Sequence, residues 1–455
     1  MLEKKISTWY LIASVIFILF FTILFGSFLV HYYEYGPRYP KLQKTAIFVA
    51  SIPINLEKLL RYGTSLTPMN KNSRIKLTKN KNDKYNKFYH HKKNKHKALL
   101  VLPRYMNEEK RSVVEIIDLE NFNVIHRYNH NIEDTYEENR KRYQYGHPLI
   151  LKDGSMIAKN VMHTPLFKID LCGKNLWKNE LGTKTFPHRI SFHHSLELDH
   201  ENNVWVSGTL REWNQFIYEH QSIERPGDEK GQGFTDDAII KIDPKTGDVI
   251  FAKSVIAILL ENNIFTDSDI YTSTDPIHIN DVQPVMSSGS YWKVGDVFIS
   301  ILRKSSIIHY RPEINKVINY IKGPFFEQHD VDIYSKDEIT IFNNNNTINK
   351  DSAYSEILIY NFRNKKFKKI LDKQLELKNF KTETEGLADF LADGSIMTEE
   401  TNGGRILFYN AKGELEWEFL NIANDGNIYP ISWSRIISDA NHVKSLKESI
   451  NNKKC

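Results

Sequence analysis

The strongest constraint on this chain is a repeat: one strand–turn–strand pattern is written six times. The copies are VVEIIDLENFNVIHRY (113–128), PLFKIDLCGKNLWKNE (165–180), AIIKIDPKTGDVIFAKS (238–254), SIIHYRPEINKVINYIK (306–322), EILIYNFRNKKFKKILD (356–372) and RILFYNAKGELEWEFLN (405–421). Each holds an alternating apolar strand, a polar or glycine-bearing turn and another strand, which reads as a β-hairpin.

A second pattern precedes the hairpins: HPLILKDGSMIAK, HHSLELDHENNVWVSG, INDVQPVMSSGSYWKVGDVFISIL, QHDVDIYSKDEITIF and EGLADFLADGSIMTEE, with ALLVLPRY as a shorter first copy. Two strands plus two strands, repeating at intervals of mostly about 45 to 55 residues, is what a propeller blade needs. The expected fold is therefore all-β, a six-bladed β-propeller over residues 98–440. One interval, His194 to Asn280, is long, and its excess fits an insertion, TLREWNQFIYEHQSIERPGDEKGQGFTD, in the third blade. Long insertions in repeat folds fall on loops and shape a binding face.

The flanks are different in kind. TWYLIASVIFILFFTILFGSFLV, residues 8–30, carries no charge and is long enough for a bilayer crossing, so residues 1–35 are expected to be an uncleaved N-terminal transmembrane helix. Residues 36–97 read as a juxtamembrane helix and a basic linker, the lysine-rich part a solvated spacer, and residues 441–455 as a polar tail. The propeller is placed outside the cytoplasm. A net charge of +5 from 61 basic and 56 acidic residues gives no nucleic-acid signal. Only Cys172 and Cys455 occur, which suggests neither a disulfide framework nor a zinc site.

A propeller turns sequence offsets into geometry, because matching positions of successive innermost strands converge at one end of the central channel. The aligned first halves bring His147, His194, Asn280, His329 and Glu385 to one ring, with His278 two residues before Asn280. Arg303 follows a second strand and reaches the same mouth. Three histidines and an arginine at corresponding places point to a functional site.

The ordered set HHSLEL, AIIKIDPKTGDVI, HIND with GDVFISILR, QHDVDI, EGLADFLADGSIM and the closing YPISWSRII resembles the bacterial arylsulfotransferase family over roughly residues 98–437. The resemblance implies sulfuryl transfer from a phenolic sulfate donor to a phenolic acceptor, with no nucleotide sulfate donor and no cofactor. It further implies that His329 is transiently sulfated, and that His194, His278 and Arg303 complete the catalytic set. His193, Asn280, His147 and Glu385 are expected to bind substrate. Ser195 stands where an aspartate is expected, and ILRKSS matches the arginine motif only in part.

The chemistry suits these residue types. Arg303 would clamp sulfate oxygens, His329 would attack sulfur, His278 would stabilise the sulfuryl oxygens, and His194 would protonate the departing phenolate and deprotonate the acceptor. Asp330, the next strand residue, points away from His329. Two other readings stand beside this one: a metal held by the imidazoles, and a membrane-tethered propeller that binds an anionic ligand or partner protein without turnover.

Overall fold

In the computed structural model, the described residues are 9–10, 12–21, 88–90, 96–132, 144–160, 165–179, 190–210, 235–266, 269, 275–346 and 354–455. The chain divides into two units, the smaller comprising Met1–Ser73 and Gln221–Gly233. Of the smaller unit, residues 9–10 and 12–21 are described; they are helical and exposed. Among the described residues no helix is long and apolar enough to cross a membrane. Most of the expected juxtamembrane segment, both ends of the apolar stretch and residues 211–234 of the third-blade insertion lie outside the described residues.

The larger unit is a six-bladed β-propeller of six antiparallel sheets. Each repeated hairpin forms the two outer strands of a blade, and the preceding segment forms the two inner ones. The innermost strands of blades 2 to 6 are Tyr145–Ile150, Ile190–Leu198, Ile279–Pro284, Val331–Ile333 and Leu387–Phe390. Blade 1 is completed differently: ALLVLPRY is its second strand, Leu99–Met106, and the innermost place is taken by Arg435–Ile437 from the far end of the chain. The ring is closed by pairing the two ends of the repeat in one sheet.

Six apolar clusters hold the ring together, one between each neighbouring pair of blades. Leu149, Ile157, Phe192 and Val206 pack between blades 2 and 3, for example, and Phe342, Ile357, Ala388 and Leu407 between blades 5 and 6. Strands that alternate around such a seam present apolar residues to both neighbours, which explains why every hairpin carries the same pattern.

Three features differ from the sequence expectation. Residues Phe88–His90 of the basic linker add a fifth strand to blade 6, against Trp417–Phe419. The segment expected as a polar tail is a helix, Ala440–Asn452, capped by Asp439 and burying Val443, Leu446 and Ile450 against the seam of blades 1 and 2. Cys172 and Cys455 are joined in a disulfide across 283 residues, so the expectation that the two cysteines form no bridge is corrected. Sequence spacing hid it because ring closure is what brings the two positions together.

Candidate active site

Each innermost strand carries a left-handed kink, within the strand in blades 2 and 3 and just ahead of it in the others. Positive φ occurs at Trp433, His147, His194, His278, Glu327 and Glu385, one in each blade from 1 to 6. Such backbone is unfavourable for residues other than glycine by roughly 1–2 kcal/mol each. Its recurrence at one place in every blade marks a constraint on where these side chains point. They meet: Trp433 lies 5.1 Å from His147 and 5.8 Å from His194, and His194 lies 5.2 Å from His278, between ring centroids.

The kinks revise the ring read from the sequence. His147, His194, His278 and Glu385 share one level with Trp433, whereas Asn280 and His329 both stand two residues past their kinks, one step deeper along the strand. Asn280 Nδ2 donates to Gln328 O at 2.7 Å, so it fixes the backbone just ahead of His329. His329 itself is 5.8 Å from His194 and 6.3 Å from Trp433 between ring centroids.

Asn344 orients His329. Its amide Nδ2 donates to Thr382 O at 3.1 Å and Glu385 O at 2.7 Å, which leaves Oδ1 facing His329 Nδ1 at 2.8 Å. An amide oxygen only accepts, so the His329 proton sits on Nδ1 and the lone pair on Nε2. The Glu327 carbonyl, 3.1 Å from Nδ1, favours the same tautomer. Burial lowers the His329 pKa to about 4, outweighing the support from Asn344, so the ring is neutral near pH 7. Asp330 is occupied elsewhere, accepting from Ala388 N at 3.0 Å. Asn344 lies in the NNNN run and was not singled out from the sequence; the available signal was its place directly after the strand that pairs with the His329 strand.

His278 has the opposite setting. Burial works against its charge, but the Asp275 carboxylate, 2.7 Å from Nδ1, more than offsets this and raises its pKa. Asp275 also lies 3.5 Å from Arg303 Nη2. The Arg303 side chain is 46% exposed, and together the two residues bring positive charge to one side of the mouth.

His194, His193 and Asp237 stand in a row. The Nδ1 atoms of the two histidines are 2.7 Å apart, and His193 Nε2 is 3.4 Å from Asp237 Oδ1. His193 is 1% exposed and stands behind His194. Burial, then the rings of His193, His278 and His329, then Lys159, hold the His194 pKa well below the usual histidine range. His147 is bound into the ring, accepting from Leu196 N at Nδ1 (3.1 Å), with Arg435 Nη2 2.7 Å from Nε2. Glu385 lines a small, water-sized cavity with Gly146, Lys159, His194, Ser432 and Trp433. It does not cap Arg405, which pairs with Glu400. Trp205, Trp292 and Trp417 pack in blade seams, while Trp433 reaches the cavity wall. Among the described residues no group of three His, Cys, Asp or Glu side chains is arranged to hold a metal ion.

Below the mouth the channel is acidic. Asp281 accepts from Val331 N at 3.0 Å, Asp330 from Ala388 N at 3.0 Å, and Asp389 from Ile436 N at 3.1 Å, each bond linking one blade to the next. Ser195 continues the series, accepting from Val282 N at 3.1 Å, which explains how a serine serves at that position. Innermost strands have one unpaired edge, and these side chains satisfy it. Arg435 sits among them, donating to Glu197 at 3.1 Å.

The fold and the site together define a six-bladed propeller with histidines and an arginine gathered at one channel mouth. A family model described as Arylsulfotransferase (ASST) matches residues 147–422, more than half of the 455 residues, and the chain belongs to that family. No curated protein matches. Among solved structures, a protein of unknown function from Bacteroides caccae is similar at 10% identity, covering 71% of this chain and 93% of its own, with a TM-score of 0.44. A virginiamycin B lyase from Staphylococcus aureus is similar at 12% identity, covering 63% and 73%, with a TM-score of 0.33.

Proposed function

We propose that this protein transfers a sulfuryl group from a phenolic sulfate ester to a phenolic acceptor through a sulfohistidine at His329, without a nucleotide sulfate donor. Family membership supports the reaction class. The observation that carries the reading is the Asn344 lock, which supports an Nε2 lone pair on His329 in a buried site.

In the first half reaction Nε2 attacks sulfur, the S–N bond forms, and the S–O bond to the aryl oxygen breaks with its electron pair leaving on oxygen. In the second, the acceptor oxygen attacks the same sulfur and His329 leaves as neutral imidazole. Sulfuryl transfer spreads negative charge over peripheral oxygens, as phosphoryl transfer does, so positioned cations contribute most. His278, whose charged form the Asp275 carboxylate favours, and the half-exposed Arg303 side chain face those oxygens, and the His194 ring lines the phenol side.

We also place the propeller outside the cytoplasm, anchored by residues 1–35. The uncharged stretch at 8–30 and the Cys172–Cys455 disulfide, of a kind that persists in oxidising compartments, support this location. Whole-cell labelling of a cysteine placed at the exposed Lys245 with an impermeant thiol reagent tests it; labelling only after lysis would reverse the orientation.

The test of the reaction is release of 4-nitrophenol from 4-nitrophenyl sulfate by the full chain, with and without a phenol acceptor. The intact mass of donor-treated protein is followed in parallel. Acceptor-dependent release and a one-sulfuryl mass gain that maps to His329 are expected. Binding of the ester without release, from folded protein tried with several acceptors, would replace this reading with that of a binding propeller.

A further inference from the structure

One histidine of the mouth is sealed behind another. The kinked residues of blades 1 to 6 follow Ser432, Gly146, His193, Ile277, Phe326 and Thr384, so only blade 3 puts a titratable side chain at that place. In a plain strand, consecutive side chains lie on opposite faces. Here the pairing with the second strand slips between Val206 and Ser207, which leaves His194 and Ser195 as a bulge, and His194 takes a φ of 53°. The bulge re-aims the two rings so that they meet edge to face, with their Nδ1 atoms 2.7 Å apart.

Asp237 stands on the far side of His193. It belongs to the third strand of blade 3, Asp236–Ile242, lies opposite Thr209 and is buried. Its Oδ2 accepts from Ile279 N at 2.9 Å, a bond to the next blade. Its Oδ1 accepts from Thr209 Oγ1 at 3.1 Å and faces His193 Nε2 at 3.4 Å. A carboxylate has no proton to offer, so the nitrogen that faces it carries the hydrogen and His193 Nδ1 keeps a lone pair. The contact between the two Nδ1 atoms needs one hydrogen, which then belongs to His194. His194 is partly exposed, and its own lone pair is left on Nε2.

We propose that His193 and Asp237 are positioning residues that fix the tautomer of His194, so that its Nε2 receives the proton of the phenolic acceptor. This rests on the sulfuryl-transfer reading. In the second half reaction the acceptor O–H bond breaks and its proton goes to His194 Nε2. The acceptor oxygen bonds to sulfur, and the S–N bond breaks with its electron pair returning to His329 Nε2. In the next first half reaction the same proton passes from His194 Nε2 to the departing phenolate oxygen, which restores neutral His194. Throughout, His194 Nδ1 donates to His193. The rings of His278 and His329, together with Lys159, oppose positive charge on His194, and the Asp237 carboxylate, one ring behind, counters them.

Asp237→Asn in the full chain tests this. The amide oxygen can still accept from Ile279 N, while its NH2 turned to His193 reverses the hydrogen between the two rings and leaves His194 with Nε2–H. The protein is mixed rapidly with 4-nitrophenyl sulfate and then with acceptor. First-turnover release of 4-nitrophenol, whose oxygen leaves without a proton, is expected to stay within about threefold of the wild type, whereas transfer to phenol falls roughly 100-fold and sulfated protein accumulates in the intact mass. The deficit is expected to shrink at least about tenfold with pentafluorophenol, an acceptor that arrives ionised. His193→Phe, which keeps a ring but offers no nitrogen, is expected to show the same split and serves if the Asn variant does not fold. Equal losses in both half reactions, equal losses on both acceptors, or unchanged transfer to phenol would overturn the proposal. Nitrogen chemical shifts of histidine-labelled protein, assigned by difference against His194→Gln, read the tautomer without turnover. Nδ1–H on His194 is expected in the wild type and Nε2–H in Asp237→Asn. Nε2–H on wild-type His194 would overturn the tautomer lock, whereas the expected pattern with no release from any ester would overturn the transfer reading and the base role with it.

Discussion

The channel mouth and the channel a few residues below it are built from the same six strands, and in both burial drives ionisable groups toward neutrality. At the mouth it holds His329 at about 4 and His194 well below the usual range; below, it raises Asp281 to about 7 and Asp389 to about 6. The difference lies in where the remaining valences go. Asp281, Asp330 and Asp389 each accept a backbone N–H from the next blade. The lock on His329 instead occupies Nδ1 and assigns the lone pair to Nε2. A perturbed pKa alone therefore does not separate working groups from structural ones; their hydrogen-bond commitments do.

Substitutions in the two layers should split cleanly. The largest effect is expected from His329→Ala, at least about 1,000-fold on acceptor-dependent 4-nitrophenol release, with no drop in melting temperature. A variant that kept more than a tenth of the activity would move the nucleophile elsewhere. Asn344→Ala is expected next, roughly 100-fold in kcat with little change in KM, because the wrong tautomer then competes. Asp330→Ala should do the reverse: an orphaned N–H at Ala388 costs about 1–3 kcal/mol in denaturant unfolding, while the activity of the folded fraction stays within a few-fold. A large kcat loss there would erase the contrast between layers.

A further expected effect is on pH dependence, and its sign differs between layers. Asp389 is raised from 3.8 to about 6, so the native state holds its proton where the unfolded chain has lost it. Its contribution is favourable at low pH and is lost as pH rises from about 4 to about 6, by up to about 3 kcal/mol. His329 is lowered from 6.5 to about 4, so its penalty appears as pH falls through that window. Asp389→Asn should flatten the first limb of a stability profile and His329→Asn the second. Exchange of these two assignments would invert the account of burial given for each layer.

Much of this was legible in the sequence. The hairpins announced themselves because each outer strand pair keeps its alternation regardless of what the channel needs. The mouth was legible only in part. A two-residue offset between blades placed His329 with Asn280 and not with His194, and backbone kinks at residues other than glycine leave no mark in composition. Asn344 was concealed in a run of four asparagines. The helix at 440–452 shows its apolar face at Val443, Leu446 and Ile450, a spacing diluted by the lysines and asparagines around it.

Ring closure has a consequence in time. Trp433 forms a wall of the cavity and Arg435 the only innermost strand of blade 1, yet both follow every other site residue in the chain. During synthesis, all the histidines of the site are made before the wall they face. A chain stopped before residue 433 would carry each catalytic side chain and still have an open ring, with blade 1 holding three of its four strands, so the site is gated by completion of the polypeptide itself.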